Sequence, residues 1–204
     1  MPTTLNALLA ISPADAERLA PAVIRPFPGW KSEEIRRYLA AAVRASRLVN
    51  TRHALLDAKG REAAWDAPGS IELRWFGAFS RHKARKVRAT VEGITQHLSS
   101  WRLDVVGDPH KTSYASALPV IRKITLGQRW VTPPAHVDAD SERVQTFVHE
   151  ASHICGRFSA DEANGYGAAD AQALAGDGMR ATRNADNYGY YAIDAITAPP
   201  VSTI

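Results

Sequence analysis

The segment Phe147-Val148-His149-Glu150-Ala151-Ser152-His153 carries a His-Glu-x-x-His pattern inside an apolar run that suits a helix. On a helix, residues i and i+4 lie on one face, one turn apart. His149 and His153 can therefore aim two imidazoles at one metal ion. Glu150 follows the first of them, where its carboxylate can act as general base on water activated by the metal. Three fixed residues are a weak pattern by themselves, and an amphipathic helix with two partly exposed histidines satisfies it as well. The residues around the segment decide between the two readings.

A catalytic zinc needs a third protein ligand and an open position for water. The chain continues Gly156-Arg157-Phe158-Ser159-Ala160-Asp161-Glu162. Gly156 is a natural helix stop, since Gly tolerates the left-handed conformation just past a C-terminus. The chain can then turn back, and Asp161 or Glu162 can reach the metal. No third His follows soon after His153. A carboxylate just past the second His is the best remaining candidate, and the donor set points to zinc-dependent peptide hydrolysis.

Further motifs follow in order: Ser159-Ala160-Asp161, Tyr166-Gly167, the alanine-rich run Ala168 to Ala175, Asn184-Ala185-Asp186 and Tyr190-Tyr191. Together with the His-Glu-x-x-His helix they resemble the aspzincins, the deuterolysin and peptidyl-Lys metalloendopeptidase group. Arg74-Trp75-Phe76-Gly77 and Asp140-Ser141-Glu142 are similar to that family too. The resemblance is strong from about Asp140 to Asp194 and diffuse before it. It implies one Zn2+ held by His149, His153 and Asp161, with Glu150 as the base. It implies that Tyr166 donates to the oxyanion of the tetrahedral intermediate. It implies that Asp186 lies in the pocket for the residue after the scissile bond and selects lysine there. Two departures stand out. Ser159 takes the place of the family's usual Thr, and the gap from Asp161 to Tyr166 is longer than the family pattern. The second keeps Glu162 as a rival ligand and Tyr188 or Tyr190 as rival oxyanion donors.

At 204 residues, 45% of them hydrophobic, the chain is long enough for one good core. The formal net charge of +4 is modest, and the basic residues are concentrated only in Arg81 to Arg88. Such a run is more often the solvated face of a helix than a nucleic-acid or lipid contact, so neither nucleic acid nor membrane is expected as partner. The single cysteine, Cys155, excludes an intrachain disulfide. It points about 200° around the helix from His153 and reads as a small buried residue rather than a ligand. Leu5 to Ile11 is short and lacks a basic flank, so no Sec signal peptide is expected. That leaves a cytoplasmic protein or one exported by a specialised secretion system.

Residues 1–30, broken by Pro21, Pro26 and Pro28, read as a lead-in, and 31–198 as one domain with its catalytic core at about 140–195. Helical spacing predicts long helices from Ser32 to about Leu56 and from Arg81 to Ser100. Ser141 is the expected cap of the metal helix. A shorter helix is expected from Tyr166 to Leu174, and a last one after Asn184. Ile71 to Gly77 reads as extended or turn. Alternation predicts strands at Trp101–Val106 and Val120–Leu126, with a third beginning at Trp130-Val131. Ala117 to Val131 is then the expected sheet edge beside the cleft, where an extended peptide could add as a strand.

The expected fold is α+β and zincin-like: a helix-rich single domain with a small mixed or antiparallel sheet beside the active-site helix. The expected function is a zinc metalloendopeptidase with Lys, or Arg less well, following the scissile bond. Its partners are a protein or peptide substrate and, as a candidate, an inhibitor or immunity protein. Rival readings are a toxin-like bacterial effector protease with one narrow substrate, a catalytically inactive binding module of the same fold, and a nucleic-acid-binding protein using Arg81 to Arg88.

Overall fold

A computed structural model describes residues 29, 31–99, 103–134, 138–155, 166–177 and 179–197. In chain order the helices are α1 (Ser32–Asp57), α2 (Arg61–Ala64), α3 (Ile71–Phe76), α4 (Arg81–Ser99), α5 (Gln128–Val131), α6 (Ala139–Ile154), α7 (Ala168–Ala175) and α8 (Ala185–Thr197). The strands are β1 (Asp104–Gly107), β2 (Ala115–Leu118) and β3 (Lys123–Leu126). The fold is thus α+β and rich in helix, as expected.

Helix α6, which carries the His-Glu-x-x-His segment, is the central element. Val144, Phe147, Val148, Ala151 and Ile154 recur at helical spacing and are all buried. Burial of each large apolar side chain contributes roughly 1.5–3 kcal/mol. Helices α1, α4 and α8 pack around α6, with α8 making the most extensive contact. Tyr38 of α1 meets Phe147 edge-on at 6.0 Å and Trp130 at 6.3 Å. Arg143 and Trp130 lock α5 to the start of α6: the Trp130 indole donates to the Arg143 carbonyl, and Arg143 donates back to the carbonyls of Trp130 and Val131. The buried apolar side chains of the described residues form one cluster around α6. Trp65 anchors the loop before α3, buried and donating to the Gly77 carbonyl at 2.8 Å.

The cap of α6 lies three residues earlier than expected. Asp138 accepts from the Asp140 N–H, and Ser141 is buried inside the first turn with its hydroxyl donating to Asp138. Ser141 therefore supports the cap and is not the cap itself.

The described strands form a three-stranded sheet in the order β1-β3-β2, with β1 parallel and β2 antiparallel to β3. Here the strand assignment departs from expectation. Pro119 starts a 3-10 turn over Pro119–Ile121, and Arg122 takes a left-handed conformation at φ 52°. Only Lys123–Leu126 of the expected Val120–Leu126 run is strand, and it is the central one. Trp130-Val131 belongs to helix α5, where both side chains turn inward. The edge beside the cleft is Ala115–Leu118, which packs along α6. Its small residues carry little strand propensity, so tertiary pairing makes it a strand.

Ile71–Phe76 is a helix rather than an extended segment. Glu72, Trp75 and Phe76 are buried at i, i+3, i+4 spacing, and Gly77 stops the helix with φ 69°. The buried Glu72 carboxylate accepts from Arg61, Ser70 and the Tyr191 hydroxyl, which ties α3 to α8. In the basic run, now on α4, Lys83 donates to the Ala78 carbonyl just before the helix and Arg88 to the Leu56 carbonyl in the last turn of α1, so two of its cations serve intramolecular contacts. No described helix is long and apolar enough to cross a membrane.

Candidate active site

One face of α6 builds the site. Glu142, Gln145, Thr146, His149 and Glu150 recur at spacings of three, four, seven and eight, so they form a stripe two turns long. That stripe floors a cavity of about 480 Å³. The chain just before β2, with Tyr114, forms one wall, and Tyr166, Asp186 and Tyr190 form the other.

The helical spacing brings the two expected histidine ligands together. His149 Nε2 and His153 Nε2 lie 3.3 Å apart. Two nitrogens about 2.0–2.1 Å from one tetrahedral zinc stand about 3.3 Å from each other. The donor atoms of His149, Glu150 and His153 all fall within 4.8 Å of one another, the group among the described residues that could hold a metal. Two imidazoles and a neighbouring carboxylate suit zinc. Asp161 and its rival Glu162 lie outside the described residues. The chain leaves α6 at Cys155 and is again beside His149 at Tyr166.

The tautomer of His149 follows from its other nitrogen. Nδ1 lies 2.5 Å from Asp186 Oδ1, so Nδ1 carries the proton and Nε2 is free to ligate. The same Oδ1 accepts from Gln145 Nε2 at 2.8 Å, and Oδ2 accepts from the Gly167 N–H at 2.6 Å. Burial alone would raise the Asp186 carboxyl, but the hydrogen bonds from His149, Gly167 and Gln145 outweigh it and hold the group below its usual range. Asp186 thus lines the cavity with its carboxylate turned onto His149.

Asp186 reaches His149 because α8 lies close against α6 at Gly189. A Cβ built there would fall 2.8 Å from Gln145 Nε2 and from the Gln145 carbonyl oxygen. Asn184 precedes α8 as expected, although its amide donates to the Asn187 side chain rather than capping a backbone N–H.

The three tyrosines considered for oxyanion binding separate clearly. Tyr166 is exposed, and its ring lies nearly parallel to that of His149, 6.4 Å away. Tyr190 lines the far wall and stacks on Trp75 at 5.3 Å. Tyr188 is buried elsewhere, donating to the Thr182 carbonyl at 2.9 Å. Cys155 is buried as expected, and burial pushes its thiol up to about 12.

Gln145 and Thr146 line the cavity although no motif includes them, and Glu142 lines it although the motif Asp140-Ser141-Glu142 gives it no role there. The signal was present, since each lies four or seven residues before His149 or Glu150 on the same helical face. Tyr114 and its neighbours carried no comparable signal.

The family model for lysine-specific metallo-endopeptidases, the aspzincins, matches residues 70–193. A solved zinc peptidase from Grifola frondosa shares the fold, with a TM-score of 0.67 and 22% identity over 82% of this chain and 98% of that one. None of the curated protein sequences matches the chain.

Proposed function

The chain belongs to the lysine-specific metallo-endopeptidase family, the aspzincins, and from that premise we propose that it cuts peptide chains on the amino side of lysine, or less readily arginine, using one zinc ion. Membership of the family makes the protein a zinc-dependent peptide hydrolase. The number of ions, the residue roles and the lysine preference belong to the proposal.

The observation that carries it is the convergence of His149 Nε2 and His153 Nε2 at the floor of a cavity, with Glu150 beside them. Asp161 completes the ligand set, favoured by its Ser-x-Asp context. When bound, zinc polarises the scissile carbonyl and acidifies water. Glu150 takes a proton from the attacking water and hands it to the leaving amine. Tyr166, on the open side of His149, donates to the oxyanion as it forms, a contact typically worth roughly 3–4 kcal/mol. Edge strand β2 offers its outer backbone groups to an extended substrate. The lysine preference is favoured by the charge of the cavity: Glu142, Glu150 and Asp186 line it, with no lysine or arginine among the described lining residues.

The test is metal content by elemental mass spectrometry on wild type and His153→Ala, with sequencing of new N-termini after incubation with a lysine-rich protein. One zinc per chain, lost in the variant, and products beginning with Lys are expected. A folded wild type that takes up no zinc would sink the reading.

A further inference from the structure

Four large hydrophobic side chains stand exposed among the described residues: Leu118, Val120, Ile121 and Tyr166. Tyr166 belongs to the cavity wall. The other three follow one another at the end of β2, with Leu118 53%, Val120 92% and Ile121 56% exposed. A single exposed apolar residue needs no explanation, but three in a cluster mark a contact surface. The cluster is held in place. Pro119–Ile121 forms a 3-10 turn, the Arg122 N–H donates to the Pro119 carbonyl at 3.1 Å, and the turn lies against α6. It is also continuous with the cleft: Ser113, Tyr114 and Ala115 line the cavity, and β2 carries the chain from there to Leu118.

We propose that Leu118, with Val120 and Ile121 beside it, forms an apolar subsite for the third residue before the scissile bond. The inference deepens the peptidase reading above and rests on the pairing of substrate with β2 given there. The position follows from pleat and register. β2 pairs with β3 on one edge, and no other described strand occupies its second edge. A substrate strand added there antiparallel makes the more stable ladder. Ala115 and Ala117 pack against the core, so the pleat turns Ser116 and Leu118 to the opposite face. Directly opposed residues of paired strands share a face. The residue after the scissile bond turns its side chain into the cavity, which places it opposite Ala115. The two residues before the bond then lie opposite Ser116 and Ala117, and the third lies opposite Leu118. Its side chain shares the Leu118 face, with the two Cβ atoms about 4.5–5.5 Å apart. Val120 and Ile121 extend the apolar surface just beyond it, so an aliphatic residue at this position leaves water and a polar one gains nothing. The patch is only a few side chains wide, which suits one residue of an extended peptide better than a folded partner.

The test is digestion of a mixed peptide pool by the zinc-loaded protein, with the new N-termini sequenced and the cut sites aligned on the bond broken. Leucine, isoleucine or valine is expected at the third position before the bond about 10-fold over serine, the ratio that corresponds to burying roughly half of such a side chain. Leu118→Ser should lower that ratio, and Leu118→Ser combined with Val120→Ser should bring it close to one. The residues found at the second position before the bond and at the first after it should not change, whereas a general loosening of the cleft would alter every position. Both substituted side chains are exposed, and thermal unfolding checks that the fold is intact. A wild type with no such enrichment, or an enrichment that survives the double variant, overturns the subsite. Cuts that are not followed by lysine overturn the lysine reading alone, because the third position is counted from the broken bond whatever follows it.

Discussion

Asp186 and His149, 37 residues apart in the chain, share a 2.5 Å hydrogen bond from the imidazole Nδ1 to the carboxylate. It turns Nε2 toward His153 and selects the tautomer that can ligate. Asp186 accepts N–H donors from His149, Gln145 and Gly167. An asparagine in its place has one acceptor oxygen, so its amide N–H must face one of those donors. Asp186→Asn is expected to weaken zinc binding about 10- to 100-fold, as loss of such a partner usually does. Competition with a coloured chelator measures it, and an unchanged affinity would remove Asp186 from this role.

Glu150 has a different signature. Glu150→Gln keeps the shape and the neighbouring imidazoles but cannot take a proton. Zinc content should stay at the wild-type level while cleavage falls by roughly 10²- to 10⁴-fold. A variant that cuts at the wild-type rate contradicts the proton-transfer role, and one that also loses zinc shows Glu150 acting on the metal's retention.

What could be read in advance divides along a physical line. The metal helix was legible because its information is local: i, i+4 spacing fixes two histidines on one face, and the same spacing fixes its buried stripe. Its start was misplaced because Ser141 and Asp138 are both good cap residues, and hydrogen bonding at the helix start selects Asp138. Strand β2 was missed because Ala-Ser-Ala-Leu has no β-branched residue, and pairing with β3 and packing on α6 hold it extended. Ile71–Phe76 was misread because its helix depends on burying Glu72, whose carboxylate is satisfied by nearby Ser70 and Arg61 and by Tyr191, 119 residues away. The turning of Asp186 onto His149 depends on how α8 sits against α6. Local spacing carries no record of that.

The core predicts alkaline sensitivity. Burial pushes the phenols of Tyr38, Tyr188 and Tyr191 well above the ordinary range, with Asp104 adding to it for Tyr38 and Glu72 for Tyr191. Their folded values exceed the unfolded value of about 10. The unfolded chain therefore releases these protons first as pH rises. Their contribution is fully present below about pH 10 and is lost as pH climbs toward the folded values. Urea midpoints should fall between about pH 8 and about pH 11. Phenolate absorbance from these three should appear only with unfolding; absorbance that rises while the fold persists would contradict their burial.

Gly189 tests whether the approach of two helices sets up the site. A Cβ there would stand 2.8 Å from both the Gln145 side-chain nitrogen and the Gln145 backbone oxygen. The side chain could swing away, but the backbone oxygen belongs to α6 and moves only with the helix. Gly189→Ala must therefore push α8 and α6 apart, at a cost of about 1–3 kcal/mol for overpacking. Helix propensity works the other way, since alanine in a helix is favoured over glycine by about 1 kcal/mol. The net loss in urea unfolding is expected to be smaller than the steric cost. The sharper effect falls on the site: separating the helices lengthens the Asp186–His149 bond and displaces Gln145 from Asp186. Zinc affinity should drop even where the urea midpoint barely moves. A Gly189→Ala protein with wild-type zinc affinity would mean that Asp186 follows His149 by side-chain adjustment alone, and that the close approach serves packing only.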